Sequence, residues 1–218
     1  MVASISRLAD PANQDCGVQN NAAGASVAEY PIERFAAGLR FFPETAFSGT
    51  GQILKFMVEH PIDPATLEPY LLWDQQHYTR NLIDRTPLYE LVAICWDVGQ
   101  MSSIHNHQDQ NCWMAVPIGR LMVQNYHVMH QDLEAGKCRI ERAGAEEMNP
   151  RKPQAVNPEA PVHRVLNPRE FNARAVSVHV YSRPIDNCVV YSEENQSCGV
   201  IGLSYTSVRG IRQPRERS

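Results

Sequence analysis

The sequence predicts a mainly β protein, built as a sandwich or barrel, with a helical part on its N-terminal side. Short apolar stretches of β type follow one another from residue 88 to residue 205, with Gly, Pro and Asn between them. Many short strands separated by turn residues are typical of sandwiches and barrels. The residues before them carry apolar side chains at helical spacing. Since there is no internal repeat, we expect a single domain over residues 29–218.

The composition is that of an ordinary globular domain. The chain has 218 residues, enough for one full core, of which 20% are charged and 43% hydrophobic. The net charge of −4 gives no indication of nucleic acid binding. No apolar run is long enough to span a membrane, and the N-terminus lacks the apolar core of a signal peptide. We therefore expect a cytoplasmic monomer that contacts neither membrane nor nucleic acid, with its six cysteines reduced.

The N-terminal part is predicted to be helical. Residues 1–28 are rich in Ala, Asn and Gln without periodicity, so we expect a mobile tail there. Pro31 precedes apolar residues at helical spacing that end at Pro43, which predicts a first helix. A second helix is expected at residues 52–59, and Asp63 is placed to cap a third.

Predicted strands make up most of the remaining chain. Their signals are apolar or alternating stretches bounded by turn residues. They lie at residues 88–96, 101–107, 112–117, 121–126, 162–166, 175–181, 188–191 and 200–205. The predicted organisation is a helical part at 29–76, a barrel at about 77–206 and a basic, solvated tail at 207–218.

The pair His105 and His107 is the first candidate for chemistry. On a strand, residues i and i+2 point to the same face, so both imidazoles project into one space. A single histidine is more often a core or surface residue than a ligand, but a pair at strand spacing reverses those odds. His163, on another predicted strand, is the best third partner. Three neutral imidazoles suit Zn, Fe, Ni or Cu and leave coordination positions open for catalysis.

Polar side chains share one face of the predicted strand 175–181. Alternation places Ser177, His179 and Tyr181 on one face and three valines on the other. A polar face on a late strand indicates either a lined cavity or an exposed outer face. Arg80 stands just before the first predicted strand, as either a solvated residue at a helix end or a bidentate carboxylate ligand. The residues alone leave both alternatives open.

The spacing around the histidine pair resembles the first motif of the cupin superfamily. The matching residues are Gly99-(x5)-His105-x-His107-(x4)-Cys112-(x6)-Gly119, and a second cupin motif resembles the segment with His163 and Asn167. The resemblance implies a double-stranded β-helix, or jelly-roll, barrel. Cys112 stands where the superfamily usually has a ligating Glu. A dication held by three neutral imidazoles alone favours an incoming anion, such as a thiolate.

Five motifs in one order extend the resemblance to the cysteine dioxygenases, a family of non-haem iron thiol dioxygenases. The motifs are H-Y-T-R-N-L-I-D, I-C-W, S-S-I-H-N-H-x-D-x-x-C, V-H-R-V-x-N and V-S-V-H-V-Y-S-R-P-I-D-x-C. They cover about residues 70–190. The resemblance implies that His105, His107 and His163 bind Fe(II).

The resemblance also implies roles for the other polar residues. Arg80, helped by Tyr78, would bind the substrate carboxylate. The polar face of the strand 175–181 would be a hydrogen-bonded triad in which Tyr181 stabilises the bound oxygen species. Cys112 would be joined to Tyr181 by a thioether crosslink.

The implied reaction is the oxidation of the thiol of L-cysteine by O2 to cysteine sulfinate. Sister enzymes act on 3-mercaptopropionate or mercaptosuccinate. Arg80 argues against the first, because enzymes of that type usually have Gln there, but mercaptosuccinate would also use an arginine and stays open. A three-histidine zinc enzyme would need a nearby base, for which Asp109 is the only obvious candidate in the motif. The retention of Arg80 and Tyr181 disfavours a non-catalytic cupin that binds a small ligand.

Overall fold

Short helices precede the sheets, as predicted. The computed structural model describes residues 29–150, 152–156 and 161–214, so the tail expected at 1–28 lies outside it. The helices are α1 (Ile32–Leu39), α2 (Glu44–Phe47), α3 (Gly51–Glu59) and two 3-10 helices (Pro64–Tyr70 and Arg169–Phe171). Asp63 caps the first 3-10 helix, where its side chain accepts from the backbone N–H of Ala65. Among the described residues, no helix combines the length and the apolar character that crossing a membrane requires.

Two β-sheets make up the rest of the described structure. Their strands are β1 (Thr79–Arg85), β2 (Glu90–Trp96), β3 (Ile104–His105), β4 (Cys112–Ile118), β5 (Leu121–Asp132), β6 (Lys137–Met148), β7 (Gln154–Ala155), β8 (Val162–Leu166), β9 (Ala175–Tyr181), β10 (Asn187–Ser192), β11 (Ser197–Gly202), β12 (Ser207–Val208) and β13 (Ile211–Arg212). The first sheet has the order β13-β12-β1-β2-β9-β4-β7, and the second, β10-β11-β6-β5-β8-β3, closes on itself. The predicted fold class, a mainly β double-stranded β-helix with a helical N-terminal part, is confirmed.

Strand β9 separates the two hydrophobic layers of the protein. Its valines, Val176, Val178 and Val180, pack on the N-terminal helices, in one cluster with Phe35 and Leu39 of α1. The opposite face of β9 looks into the space between the sheets, where Tyr181 packs with apolar residues of both sheets. The alternation along β9 therefore lines an interior cavity rather than an outer surface.

Neighbouring strands extend this inner face across the first sheet. Tyr181 on β9 lies opposite Glu90 on β2 and opposite Cys112 on β4. His179 is likewise opposite Val92 on one side and Met114 on the other. Polar groups are therefore concentrated at one end of an otherwise apolar interior.

The turn between β4 and β5 requires glycine. Gly119 has a φ of +70°, and a Cβ at this position would lie 2.6 Å from the carbonyl oxygen of Arg174. Glycine is the residue that adopts positive φ without a steric penalty. This explains why the last position of the first cupin motif is occupied by glycine.

The structure differs from the sequence-based expectations at several strands. Residues 79–85, expected to lie before the first strand, form β1, so Arg80 is a strand residue rather than a helix end. The strand expected at 101–107 is reduced to the two residues of β3. The hairpin of β5 and β6 extends to Met148, well beyond the strand predicted at 121–126. Its outer part was not predicted because it is exposed and lacks the apolar alternation that indicates a strand.

The end of the described chain is also part of the sheet rather than a solvated tail. Strand β12 pairs in parallel with β1, and β13 pairs with β12. Ser207 is fully buried, and its hydroxyl donates to Oδ1 of Asn81 at 2.8 Å. The sequence did not predict this pairing, because the segment is basic and the buried hydrogen bond depends on a single serine.

Replacing Ser207 with alanine is expected to destabilise the fold by about 1–3 kcal/mol, the penalty for a buried polar group that loses its partner. The group left without a donor is Oδ1 of the buried Asn81. Chemical denaturation gives the free energy of unfolding, with Ser204→Ala, an exposed serine in the same segment, as the matched control. Equal stability of the two variants would show that this end of the chain is not anchored through Ser207.

Candidate active site and metal centre

The three predicted histidines meet on the second sheet. His105 at the end of β3 lies directly opposite His163 on β8, and His107 follows β3 in the loop. Each contributes one ring nitrogen, and these nitrogens lie within 4.8 Å of one another. The spacing is close enough for small side-chain rotations to bring all three nitrogens to one ion.

The donor atoms of this cluster suit a metal. His105 uses Nδ1 for a 2.9 Å hydrogen bond with the carbonyl oxygen of Ser103, which leaves Nε2 free for a ligand. Both ring nitrogens of His107 are buried without a hydrogen-bond partner among the described residues. An unpaired buried nitrogen is costly unless a ligand completes it. The cluster therefore fits an ion bound by three imidazoles.

Burial also keeps the three imidazoles neutral. Desolvation lowers the pKa of His105 to about 4. The same desolvation, together with the mutual repulsion that neighbouring histidines would have if protonated, holds the pKa values of His107 and His163 well below the usual range. Only the neutral imidazole binds a metal, so the ligand set is ready at neutral pH without proton release.

The polar face of β9 forms a continuous hydrogen-bonded chain. The indole N–H of Trp96 donates to Oγ of Ser177 at 2.9 Å, and this Oγ lies 2.8 Å from Nε2 of His179. Nδ1 of His179 lies 3.2 Å from the hydroxyl of Tyr181. Burial holds the pKa of His179 well below its usual range, so this imidazole is neutral.

The direction of the chain follows from the donors available. Oγ of Ser177 accepts from Trp96, and Nε2 of His179 is the only other partner of this hydroxyl among the described residues, so the buried Ser177 proton is satisfied by donation to that nitrogen. In a neutral imidazole the other nitrogen then carries the proton, and Nδ1–H donates to the Tyr181 oxygen. The phenol proton of Tyr181 is thus left free to point into the cavity.

Cys112 and Tyr181 are neighbours across β4 and β9. They are opposite each other in the antiparallel register, and the N–H of Ser182 donates to the carbonyl of Asn111 one step away. This places Cys112 and Tyr181 in a non-hydrogen-bonded pair, where side chains approach most closely. The thiol of Cys112 also lies 3.9 Å from Nδ1 of His179, the nitrogen that contacts the Tyr181 hydroxyl.

Arg80 on β1 points into the same pocket. Its guanidinium lies 3.4 Å from the carboxylate of Glu90, and its carbon Cζ is 5.8 Å from the ring centroids of both Tyr181 and Tyr205. Nε of Arg80 is buried with no hydrogen-bond partner among the described residues. The pocket lining joins Arg80 to His105, His107 and Tyr181. Arg80 therefore carries an unpaired donor and lines the same pocket as His105 and His107.

Tyr78 lines the same pocket and stacks on Trp96, with ring centroids 4.6 Å apart. Burial raises the pKa of Tyr78, so its phenol keeps its proton. Apolar side chains also line the pocket, among them Ile185, Cys188 and Leu203. The structure thus brings together the nine residues to which the family resemblance gives a role.

Three residues that contact the candidate site residues have no role assigned to them in the sequence analysis. Trp96, at the end of the predicted strand 88–96, donates to Ser177. Glu90 and Tyr205 were not predicted to belong to the site. A charged residue at the start of the apolar run Glu90–Trp96 was the available signal for Glu90. Asp109, the candidate base of a zinc enzyme, is exposed.

Comparison with known proteins gives the same family. The family model described as "Cysteine dioxygenase type I" matches residues 35–194. The cysteine dioxygenase type 1 of Rattus norvegicus is 32% identical over 153 residues, which cover 70% of this chain and 74% of the relative. That of Danio rerio is 27% identical over 168 residues, which cover 77% and 82%.

Solved structures resemble the chain more distantly. A Klebsiella pneumoniae protein described as having a double-stranded beta-helix domain is 18% identical, with a TM-score of 0.36, and the match covers 54% of this chain and 86% of that protein. This likeness is too distant to bear on the assignment. The match to the family model spans most of the sequence and includes every candidate site residue. The chain therefore belongs to the cysteine dioxygenase type I family and is a dioxygenase-type oxidoreductase.

Proposed function

We propose that this protein is a non-haem Fe(II) thiol dioxygenase that oxidises the thiol of L-cysteine with O2 to cysteine sulfinate. The observation that carries the proposal is that Arg80 and two of the clustered histidines line one pocket. A small thiol acid fits this arrangement, because its thiolate would meet the metal while its carboxylate meets Arg80. The family match supports the same class of reaction.

The metal would be held by His105, His107 and His163. Bound Fe(II) would supply open coordination positions and redox chemistry with O2. Because all three ligands are neutral imidazoles, the positive charge of the site favours a thiolate over a neutral thiol. Cys112 takes the place of a ligating Glu, and burial raises the pKa of its thiol, so it does not compete as an anion.

Arg80 would bind the substrate carboxylate. Its unpartnered Nε and the planar fork of its guanidinium suit a carboxylate better than the point charge of a lysine would. A carboxylate fixed at this point holds the thiol end of a short substrate towards the histidine cluster. Such positioning contributes to the rate because it removes rotational freedom before the reaction.

Tyr181 would provide the proton that stabilises developing negative charge on oxygen. Burial and the nearby thiol of Cys112 hold the pKa of Tyr181 well above its usual range, so the phenol is a donor at neutral pH. Trp96, Ser177 and His179 would orient this phenol, since their chain fixes its oxygen as an acceptor and releases its proton towards the cavity. Tyr78, also protonated, would support the Arg80 end of the pocket.

The rival functions are less well supported. The family match places the chain among dioxygenases rather than zinc hydrolases or non-catalytic cupins. Asp109, the candidate base of a zinc hydrolase, is exposed and is not among the residues that line the pocket. Mercaptosuccinate is the remaining alternative substrate, since it too would use Arg80. A cytoplasmic location and a monomeric state remain predictions.

Oxygen uptake by the iron-loaded protein tests the proposal. Cysteine, cysteamine, 3-mercaptopropionate and mercaptosuccinate are compared, and the sulfinate product is identified by mass spectrometry. We expect the highest kcat/KM for cysteine, and no uptake by zinc-loaded protein. A clear preference for mercaptosuccinate would assign the sister activity, and no uptake with any thiol would overturn the dioxygenase proposal.

We also propose that Cys112 and Tyr181 become joined by a thioether bond. Their opposite positions on β4 and β9, and their shared contact with His179, support this proposal. Oxidation would remove one hydrogen from the thiol and one from the phenol ring, with O2 as the oxidant. The link would close a chain loop between residues 112 and 181.

Turnover is expected to produce a fraction of protein that is two hydrogens lighter and migrates differently on a denaturing gel. Cys112→Gly should abolish this fraction and keep substantial activity, because Cys112 is not proposed as an iron ligand. Cys112→Ser, which keeps a polar side chain of similar size, serves as the matched control. If peptide mapping after turnover finds both residues only in separate, unmodified peptides, the crosslink does not form in this protein.

A further inference from the structure

A buried carboxylate lies beside the arginine that faces the pocket. Glu90 on β2 is fully buried, and its Oε1 lies 3.4 Å from Nη2 of Arg80. A carboxylate is costly to bury without a partner, so its position points to a specific role near Arg80. The position is also close to the reaction site, because Glu90 lies opposite Tyr181 in the sheet.

The second carboxylate oxygen of Glu90 accepts a hydrogen bond from a residue near the C-terminal end of the described chain. The hydroxyl of Tyr205 donates to Oε2 of Glu90. The same hydroxyl accepts from Nη1 of Arg85 at 3.2 Å, and Arg85 pairs with Asp186 at 2.9 Å. Both oxygens of Glu90 therefore have donors, and donors to both oxygens favour the ionised carboxylate. Burial raises the pKa of Glu90, while the donors from Tyr205 and Arg80 oppose that effect and hold a negative charge beside the Arg80 guanidinium.

The negative charge of Glu90 reduces the attraction of the Arg80 guanidinium for a substrate carboxylate. The guanidinium side chain is 12% exposed, so it has little water to screen its charge. Glu90 already neutralises much of that charge before a substrate arrives. A substrate carboxylate at Arg80 would then lie across the guanidinium from a second carboxylate. Two carboxylates that contact the same guanidinium repel each other strongly in a partly buried site.

We infer that Glu90 is a specificity-determining residue: its charge weakens the binding of carboxylates at Arg80 and disfavours thiols that carry a second carboxylate. This inference rests on the proposed function, in which Arg80 is the carboxylate ligand. Thiol acids with one carboxylate are then preferred over dicarboxylates. The pair Glu90 and Tyr205 thereby separates cysteine from mercaptosuccinate, which Arg80 by itself would accept.

The test uses a series of thiols with no, one and two carboxylates: cysteamine, cysteine and mercaptosuccinate. Their dissociation constants are measured by calorimetry under nitrogen with iron-loaded protein, so that no oxidation occurs. In Glu90→Gln, which keeps the shape and an acceptor oxygen, we expect cysteine to bind about tenfold more tightly and mercaptosuccinate to gain more. Cysteamine should not bind more tightly. Glu193→Gln, at the exposed ion pair with Arg142, is the matched control and should change none of the three constants.

Two further variants separate charge from structure. Glu90→Asp keeps the charge and should keep the natural order of affinities, whereas Glu90→Asn is a second neutral variant in case Glu90→Gln does not fold. Equal changes for all three thiols would overturn the inference. The inference would also be overturned if the neutral variants bound cysteine more weakly and cysteamine with an unchanged dissociation constant. Glu90 would then serve only to hold Arg80 in place.

The natural protein gives an independent check. It must bind mercaptosuccinate more weakly than cysteine, and the reverse order overturns the inference whether or not the variants fold. Oxygen uptake is measured on the same preparations. If the thiols bind in the expected order but are not oxidised, the proposed reaction fails while the role of Glu90 stands. If cysteine is oxidised but the order does not depend on Glu90, only the role of Glu90 fails.

Discussion

Replacing His163 with alanine is expected to remove the iron and to lower the oxidation of cysteine by at least about a hundredfold. His163 lies opposite His105 in the sheet and is 2% exposed, so its loss leaves two of the three proposed ligands. The two imidazoles that stay, His105 at the end of β3 and His107 in the loop that follows, rarely retain a divalent metal by themselves. The natural protein should hold about one iron per chain, and the variant should hold almost none.

Elemental analysis and an anaerobic iron titration measure this effect directly. The matched control is His130→Ala, because His130 is an exposed histidine on β5 outside the cluster. The control should bind iron like the natural protein. Thermal unfolding without metal should be nearly unchanged in His163→Ala if the residue serves mainly as a ligand. Stoichiometric iron in the variant would remove His163 from the ligand set.

The strands that the sequence located best are those with a simple burial pattern. Strand β9 was predicted with the observed bounds, because its valines alternate with residues that face a second environment. Strand β1 was missed because it buries polar residues. Asn81 is paired with Ser207, and Asp84 with Arg40 and Tyr89. A buried polar residue is recognisable only with its partner, and these partners are distant in the sequence.

The distance in sequence between interacting polar residues also explains which part of the site was predictable. The histidine pair and the polar face of β9 are local patterns, so two-residue spacing reveals them. Glu90 gives no such pattern, since its partner Tyr205 lies 115 positions away, at the end of the predicted strand 200–205. The C-terminal strands were predicted as a solvated tail for the same reason. Sequence spacing located the histidines that cluster in the structure, whereas the charge balance around Arg80 could be described only from the fold.

Arg80→Ala is expected to raise KM for cysteine and to cost about 2–5 kcal/mol in kcat/KM, the range for truncating one partner of a buried charge pair. The oxidation of cysteamine, which has no carboxylate, should change little. The ratio of kcat/KM for the two thiols therefore reports the loss of carboxylate binding and is insensitive to a general loss of folded protein. Arg120→Ala, at an exposed ion pair with Glu147, is the matched control.

Besides losing carboxylate binding, Arg80→Ala is also expected to lose stability, and the two effects must be measured separately. Without Arg80, the buried carboxylate of Glu90 loses its positive partner, which destabilises the protein by an amount unrelated to catalysis. The double variant Arg80→Ala/Glu90→Gln removes this unpaired charge. It should recover stability in chemical denaturation while the preference for cysteine over cysteamine stays lost. Arg80→Lys should recover only part of the preference, because lysine keeps the charge but lacks the fork. If the natural protein oxidises cysteine and cysteamine with equal kcat/KM, Arg80 does not bind the substrate carboxylate.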